Sequence, residues 1–295
     1  MNNTANTKWS GKTGGQKWMQ KSLIILFRWV NIRIMYAIMA LVIPFYMIFN
    51  RKGYNSTYSY FRNRFSYSPF KAFVNVYINQ FTFGQIILDR FAFYAGKRFQ
   101  INIIGNEHYE ELIGQEDGFL IISSHVGNYE LAGYHLKATK KSIHPLIYGG
   151  ETATVMRNRS KMFVGHNIEM IPVTSDMSHL FEINNALRDG NVVSMPGDRI
   201  FGSAKHLELT FLGEKAKFPL GPFATAVQRE VSIISIFVMK ESTNRYTIYV
   251  KRLDTSSGTN RKEKMESLAQ QFVKNLEEMV LKYPTQWFNY YDFWE

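Results

Sequence analysis

The chain has 295 residues, of which 45% are hydrophobic and 20% are charged, so it can bury a core and is not disordered throughout. It contains no cysteine, which excludes a thiolate nucleophile, a disulfide framework and cysteine-based metal sites. The formal net charge is +11, and its distribution along the chain narrows the choice of partners.

The whole positive surplus lies in the N-terminal part of the chain. The first acidic residue is Asp89, and eleven lysines and arginines precede it, whereas the other 24 basic residues balance the 24 acidic ones. A basic segment of this kind suits anionic lipid headgroups or nucleic acid.

Residues 34–49, IMYAIMALVIPFYMIF, form a stretch without charge, flanked by Arg28 and Arg33 before it and by Arg51 and Lys52 after it. A helix of this length measures about 24 Å, less than the hydrocarbon core of about 30 Å. Because cytoplasmic flanks attract basic residues, both ends are expected on the cytoplasmic side. We predict an interfacial or re-entrant contact with membrane phospholipids, with a short, tilted span and a buried soluble helix as alternatives.

Aromatic and basic residues are mixed between residues 54 and 99, as they also are on surfaces that bind single-stranded nucleic acid. The aromatic residues continue at helical spacings, without basic partners, through Phe81, Phe83, Phe91 and Phe93. This pattern is more typical of core packing or of a membrane-interface belt, so no nucleic-acid partner is predicted.

From about residue 100, short apolar runs alternate with amphipathic segments. The predicted strands are 99–104, 119–123, 143–148, 168–173, 191–195, 207–212, 231–239 and 246–252. The predicted helices are 127–138, 151–165, 177–188, 219–229 and 263–282. This alternation predicts an α/β fold, a layered and mostly parallel sheet flanked by helices. We therefore divide the chain into a basic, aromatic-rich helical region with the membrane contact, residues 1–98, and an α/β domain, residues 99–295.

The stretch SSHVGNYELAG, residues 123–133, combines a strand end with a histidine and a glutamate. His125 follows the apolar strand, where ligands meet parallel sheets. Within an unbroken helix, five residues would separate the two side chains by about 140°. If His125 lies on a turn and Glu130 in the first helical turn, the glutamate can orient the imidazole, whose other nitrogen can then remove a proton.

The chemistry of such a pair needs no enzyme nucleophile, since a substrate hydroxyl can attack. No G-x-S-x-G elbow is present, and the backbone amides near Gly127 could serve an oxyanion. A His-x4-Glu spacing also arises by chance, so a histidine that merely packs at a strand end is the alternative.

Four blocks in order resemble one family. SSHVGNYE resembles the H-x4-D/E block of membrane glycerolipid acyltransferases, in the form typical of the lauroyl and myristoyl transferases of lipid A biosynthesis. VVSMPGDRIFG at 192–202, TFLGEKAKFPLGPFATA at 210–226 and YPTQWFNYYDFW at 283–294 resemble further blocks of that family.

The resemblance implies transfer of a fatty acyl group from a thioester, carried by acyl carrier protein, to a lipid hydroxyl at the cytoplasmic face of a bacterial inner membrane. It implies His125 as general base and Glu130 as its orienter. The candidate substrate-binding residues are Asn128, Asp198, Arg199, Arg157 and Arg159. One of the last two corresponds to a functional arginine of the family, and the sequence does not decide between them.

Two stretches depart from the family pattern. RKGYNSTYSYFRNRF does not reproduce the arginine-rich stretch that follows the anchor, and PGDR lacks the usual aspartate–histidine arrangement. The acceptor therefore stays open between a lipid A-like lipid and an aminolipid, glycolipid or polyene lipid. A non-catalytic lipid-binding protein with the same fold is a further alternative.

Seven histidines are scattered without metal-ligand spacing, and no phosphate-binding glycine loop is present, so we predict no metal and no cofactor. The aromatic C-terminus WFNYYDFWE suits either a membrane interface or packing across the α/β domain. Pro284, which turns the chain after the last predicted helix, favours packing.

Overall fold

The computed structural model describes residues 17–136, 141–148, 167–174, 176–200 and 205–294. The helices are α1 Lys17–Trp29, α2 Ile32–Phe49, α3 Arg51–Arg64, α4 Pro69–Tyr94, α5 Asn106–Gly114, α6 Ala132–His135, α7 His179–Arg188, α8 Gly221–Arg229 and α9 Arg261–Lys282. The strands are β1 Gln100–Ile104, β2 Phe119–Ser123, β3 Ile143–Tyr148, β4 Ile171–Val173, β5 Val192–Pro196, β6 His206–Phe211, β7 Glu214–Pro219, β8 Ile233–Lys240 and β9 Arg245–Leu253.

Seven of these strands form one sheet in the order β1-β9-β8-β2-β5-β3-β4. Its neighbouring strands run parallel except for β8 and β9, which are consecutive in the chain and pair antiparallel. Strands β6 and β7 form a separate antiparallel hairpin. The predicted α/β class, with its mostly parallel sheet and flanking helices, is confirmed.

Hydrophobic side chains cover both faces of the sheet because successive strand residues point to opposite sides. In β2, Leu120 and Ile122 join one buried cluster, while Phe119 and Ile121 join the other. A central strand that is apolar on both faces is typical of a parallel sheet between two layers.

The N-terminal helices are packed onto this body. Helix α2 runs along α4, where Met39 lies over Gly84 and the Tyr77 hydroxyl donates to the carbonyl of Ala40 at 3.0 Å. Helix α4 in turn holds the C-terminal segment, since Asn79 Nδ2 donates to the carbonyl of Trp287 at 2.9 Å. The predicted boundary near residue 98 falls between α4 and β1, and the division into two domains stays a prediction.

Helix α2 extends the predicted apolar stretch by two residues. Among the described residues it is the helix whose length and composition would suffice to cross a membrane, and 22% of it is buried. Met35, Tyr36, Ile43 and Met47 form the buried side, whereas the opposite side is apolar and exposed.

Several predicted elements differ from the observed ones. The predicted helix 127–138 is a 3-10 turn at Tyr129–Leu131 followed by the short α6. The predicted strand 168–173 shortens to β4, with an isolated bridge at Ile168. The predicted helix 151–165 lies outside the described residues.

In the described part of the α/β domain, helix α5 and strand β7 were not predicted. The hairpin of β6 and β7 turns at Leu212 and Gly213, which both have positive φ, 50° and 83°. A two-residue turn with both φ values positive matches the right-handed twist of the strands on either side.

The C-terminal aromatic segment packs against the body, as predicted. Trp287 and Phe293 are buried, and their rings contact Phe211 at 5.4 Å and 5.7 Å between centroids.

Candidate active site

His125 and Asp198 meet because two parallel strands pair in register. Ser123 at the end of β2 lies opposite Pro196 at the end of β5, and each side chain of the pair follows two residues later. The intervening Gly197 donates its amide to the carbonyl of Ser123 at 2.8 Å, which continues the pairing to the edge of the sheet. Both groups therefore project at the carboxyl edge, where ligands meet parallel sheets.

Two hydrogen bonds hold the imidazole on the carboxylate. His125 Nδ1 donates to Asp198 Oδ1 at 2.8 Å, and the backbone amide of His125 donates to Oδ2 at 2.7 Å. The His125 side chain is 22% exposed, whereas that of Asp198 is 2% exposed. With Nδ1 protonated toward the carboxylate, Nε2 carries a lone pair and can accept a proton.

The surroundings keep this imidazole neutral. Burial lowers the pKa of His125, and the positive charge of Arg199 lowers it further, against the opposing attraction of Asp198. Burial alone would raise the pKa of Asp198, but its interactions with His125 and Arg199 outweigh burial, and the pKa lies below its ordinary value. A neutral imidazole beside an ionised carboxylate is the arrangement that a general base requires.

The Glu130 side chain pairs with Arg90 of α4 rather than with the imidazole of His125. Its Oε1 accepts a hydrogen bond from Arg90 Nη1 at 3.0 Å. We expected the carboxylate of Glu130 to orient the imidazole, and the carboxylate that contacts Nδ1 of His125 is that of Asp198. Gly127 and Asn128 are not helical, as the pairing required, yet the Glu130 carboxylate reaches Arg90.

Two of the amides that we expected to serve an oxyanion are engaged in backbone hydrogen bonds. Gly127 donates its amide to the carbonyl of Gln286 at 2.8 Å, and Asn128 donates to the carbonyl of Val238 at 2.7 Å. The positive charge near the imidazole comes instead from Arg199.

The family model for bacterial lipid A biosynthesis acyltransferases matches residues 83–294, which is more than half of the chain. The chain belongs to this family. It is an acyltransferase, and the activity implies an acyl donor and a lipid acceptor.

A solved structure is also similar in outline. The 1-acyl-sn-glycerophosphate (LPA) acyltransferase PlsC from Thermotoga maritima is 12% identical, with a TM-score of 0.42, and the match covers 85% of this chain and 98% of that chain. No curated protein sequence matches the chain.

Among the other predicted site residues of this lipid A acyltransferase family member, Arg199 acts on His125 through its charge, whereas Asn128 contacts Tyr246. The Asn128 side chain is buried, and its Nδ2 donates to the Tyr246 hydroxyl at 3.4 Å. Arg199 Nη2 donates to the carbonyl of Phe288 at 2.8 Å. Arg157 and Arg159 lie outside the described residues.

The C-terminal segment forms one wall of the site, which sequence reasoning did not anticipate. Phe288 donates its amide to the carbonyl of His125 at 3.0 Å, and Val126 bridges Trp287 in antiparallel fashion. The ring of Tyr291 lies 5.9 Å from the Arg199 guanidinium and also lines a cleft of about 230 Å³ between α3 and the C-terminal segment.

Sequence reasoning also missed Arg90, the partner of Glu130, and its neighbour Asp89. One signal pointed to this region, since Asp89 ends 88 residues without an acidic side chain. Across the described part of the chain, no three His, Asp or Glu side chains are grouped as metal ligands.

Proposed function

We propose that this family member transfers a fatty acyl group from the thioester of acyl carrier protein to a hydroxyl of a lipid A-like acceptor. The observation that carries the proposal is the His125–Asp198 pair, with Nδ1 bonded to a buried carboxylate and a partly exposed ring at the carboxyl edge of the sheet. Asp198, rather than Glu130, is then the group that orients the base.

The reaction begins at Nε2 of His125, the ring nitrogen that is not bonded to Asp198. Nε2 of His125 takes the proton of the acceptor hydroxyl as its oxygen attacks the thioester carbonyl. This attack forms the new C–O bond, and the tetrahedral intermediate then collapses to the carbonyl by breaking the C–S bond. The departing thiolate takes the proton from the imidazolium, so that the ester and a free thiol leave a neutral histidine.

Arg199 is the candidate for stabilising the oxyanion of that intermediate. Its charge lowers the pKa of His125, and the hydrogen bond from Nη2 to the carbonyl of Phe288 holds the guanidinium in place. A preorganised cation near developing negative charge lowers the barrier without reorganising during the reaction. Asn128, and whichever of Arg157 and Arg159 corresponds to the family arginine, remain predicted substrate-binding residues.

An apolar N-terminal helix together with membership of a lipid acyltransferase family fits membrane association. We infer that α2 lies in the membrane interface and does not cross the bilayer. Its buried side follows α4, which carries the buried polar residues Asn79, Gln80 and Asp89, so crossing would take these groups into hydrocarbon.

The charges around α2 support the cytoplasmic face of the inner membrane. Arg28 and Arg33 precede the apolar side of α2, and Arg51 and Lys52 follow it. Basic residues on both sides suit the anionic cytoplasmic leaflet, on the side where acyl carrier protein would deliver its acyl group. In this proposal residues 1–98 form the membrane-contacting region and residues 99–295 the acyltransferase domain.

Lipid mass spectrometry of a deletion strain tests the proposal and identifies the acceptor. A lipid A that is lighter by one acyl unit, restored by the wild-type gene but not by His125→Ala, is the expected result. A missing acyl unit in an aminolipid, glycolipid or polyene lipid would show that this lipid, rather than a lipid A-like lipid, is the acceptor. Full restoration by His125→Ala would contradict the role of the histidine.

The donor requires a separate measurement with purified protein in lipid vesicles. Acyl carrier protein and coenzyme A thioesters of the same acyl chain are compared at equal concentration. We expect higher kcat/KM with acyl carrier protein, and a preference for coenzyme A would reject the carrier protein as donor.

A further inference from the structure

Two consecutive residues of α4, Asp89 and Arg90, are connected to the loop that carries His125. We call residues 124–131 the His125 loop. Arg90 reaches it directly, through the hydrogen bond of 3.0 Å from Nη1 to Glu130 Oε1. The Glu130 side chain is 9% exposed, so this ion pair is largely shielded from solvent.

Asp89 is connected to the same loop through a buried network. Its carboxylate is fully buried and accepts hydrogen bonds from the hydroxyls of Tyr36 and Tyr246 and from Lys240 Nζ, the last at 2.5 Å. The Tyr246 hydroxyl also accepts a hydrogen bond from Asn128 Nδ2 at 3.4 Å. The Tyr246 hydroxyl thus links Asp89 to Asn128, which lies in the middle of the His125 loop.

Lys240 supplies a second connection from this network to the loop. Its backbone amide donates to Gln286 Oε1 at 2.9 Å, and Gln286 Nε2 donates back to the carbonyl of Lys240 at 2.8 Å. The carbonyl of Gln286 then accepts the amide of Gly127 at 2.8 Å. The loop is therefore held at Gly127, Asn128 and Glu130 by groups outside the His125–Asp198 pair.

Stability alone is a poor explanation for the buried charges. Desolvation raises the pKa of Asp89 and lowers that of Lys240, so burial opposes the charge on both partners. Replacing a buried ion pair by apolar residues of similar volume is often neutral or stabilising. A fixed orientation of the attached loop is a role that apolar residues would not fill.

We propose that Asp89 and Arg90 are positioning residues, which hold the His125 loop from α4 so that the imidazole keeps its place on Asp198. The proposal rests on the proposed role of His125. It also gives Glu130 a role different from the one its spacing suggested, because Glu130 receives Arg90 and acts on the histidine only through the loop.

The Arg90 connection is tested with Arg90→Gln, Glu130→Gln and the double variant in vesicles. Each single change is expected to lower kcat about 100-fold with KM for the donor within about threefold, since misplaced catalytic groups reduce turnover more than binding. The double variant should be no slower than either single variant. Arg252→Gln is the control, because Arg252 pairs with Glu111 at 2.6 Å on the exposed surface, and it should keep wild-type turnover.

The Asp89 connection is tested with two tyrosine-to-phenylalanine variants, each of which removes one hydroxyl. Tyr246→Phe and Tyr36→Phe each remove one hydroxyl that donates to Asp89, but among these two only the Tyr246 hydroxyl contacts Asn128. Tyr246→Phe should lower kcat about tenfold and Tyr36→Phe less than about twofold, in line with one displaced loop contact.

The outcomes separate the two proposals. Wild-type turnover in Arg90→Gln, or equal losses in both phenol variants, would overturn the positioning role while His125→Ala remains inactive. Melting temperatures are recorded throughout, and a loss of kcat that merely follows a lowered melting temperature would also overturn it. Full activity of His125→Ala would instead overturn the proposed function itself.

Discussion

At the scale of single residues, the neighbours of His125 determine which of its two ring nitrogens can accept a proton. The carboxylate of Asp198 takes Nδ1, and burial together with Arg199 keeps the ring neutral. A neutral imidazole whose Nε2 is not bonded to Asp198 can accept a proton near pH 7, where an ordinary histidine is already mostly neutral.

Asp198→Asn should lower kcat by about 10³-fold to 10⁴-fold, as loss of the orienting aspartate does in other histidine bases. The amide nitrogen of asparagine cannot accept from Nδ1 and would favour the wrong tautomer. Steady-state acyl transfer measures the loss, and Glu130→Gln in the same series separates the two carboxylates. If Asp198→Asn kept more than a tenth of wild-type turnover, Asp198 would not be the orienter.

Arg199→Gln should move the acidic limb of the kcat/KM profile to higher pH. The sign follows from the charge: Arg199 lowers the pKa of His125, so its removal raises that pKa, and the neutral base then needs a higher pH. Arg199→Lys retains the charge and is the matched control, with an acidic limb near that of the wild type. A shift to lower pH in Arg199→Gln would contradict the electrostatic role.

At the scale of elements, β2 and β5 position the His125–Asp198 pair, and two glycines allow the backbone to pack closely beside it. Gly197 lies so close to Ile122 that a Cβ would come within 2.4 Å of its Cγ2. Gly127 has a φ of 63°, and a Cβ there would lie 1.9 Å from the carbonyl oxygen of Val238. Since that oxygen accepts the amide of Asn128, the backbone cannot move away without losing the hydrogen bond.

Gly127→Ala should therefore destabilise the fold by at least about 3 kcal/mol, the strain of a left-handed residue plus the collision. Gly213→Ala is the control, because Gly213 also has positive φ, 83°, but a Cβ there would meet nothing within 4 Å. It should cost only about 1 to 2 kcal/mol. Denaturant unfolding measures both, and equal losses would show that the contact with Val238 does not matter.

At the scale of the whole molecule, the exposed side of α2 is an apolar surface, with Arg28 and Arg33 before it in the chain and Arg51 and Lys52 after it. Leu41 is 73% exposed and Phe45 is 64% exposed, on the side of α2 away from α4. Apolar side chains of this size gain about 1.5 to 3 kcal/mol each when they leave water completely.

Replacing Leu41 and Phe45 together by glutamate should lower vesicle binding at least about tenfold while leaving the melting temperature unchanged. Phe181→Glu is the control, since Phe181 is 74% exposed on α7 and lies outside the N-terminal helices. Sedimentation with vesicles containing anionic lipid measures the binding. Equal loss in both variants, or none in the first, would argue against α2 as the membrane contact.

Much of this protein could be predicted from local sequence. Short apolar runs located the strands near 119–123 and 143–148, and the charge-free stretch located α2 to within two residues. The position of His125 after a buried strand also followed from the sequence, because an apolar run followed by a turn has a local signature.

The partner of His125 did not follow from the sequence. Glu130 is five residues away and Asp198 is 73 residues away, yet the nearer carboxylate reaches Arg90 and the farther one reaches the imidazole. The pairing of β2 with β5 brings Asp198 to His125, and strand order and register are non-local properties that periodicity does not encode. The sequence by itself determined the fold class, the basic apolar surface and the histidine at the strand end. Only the tertiary structure decided which carboxylate holds that histidine, because the choice depends on which strands become neighbours.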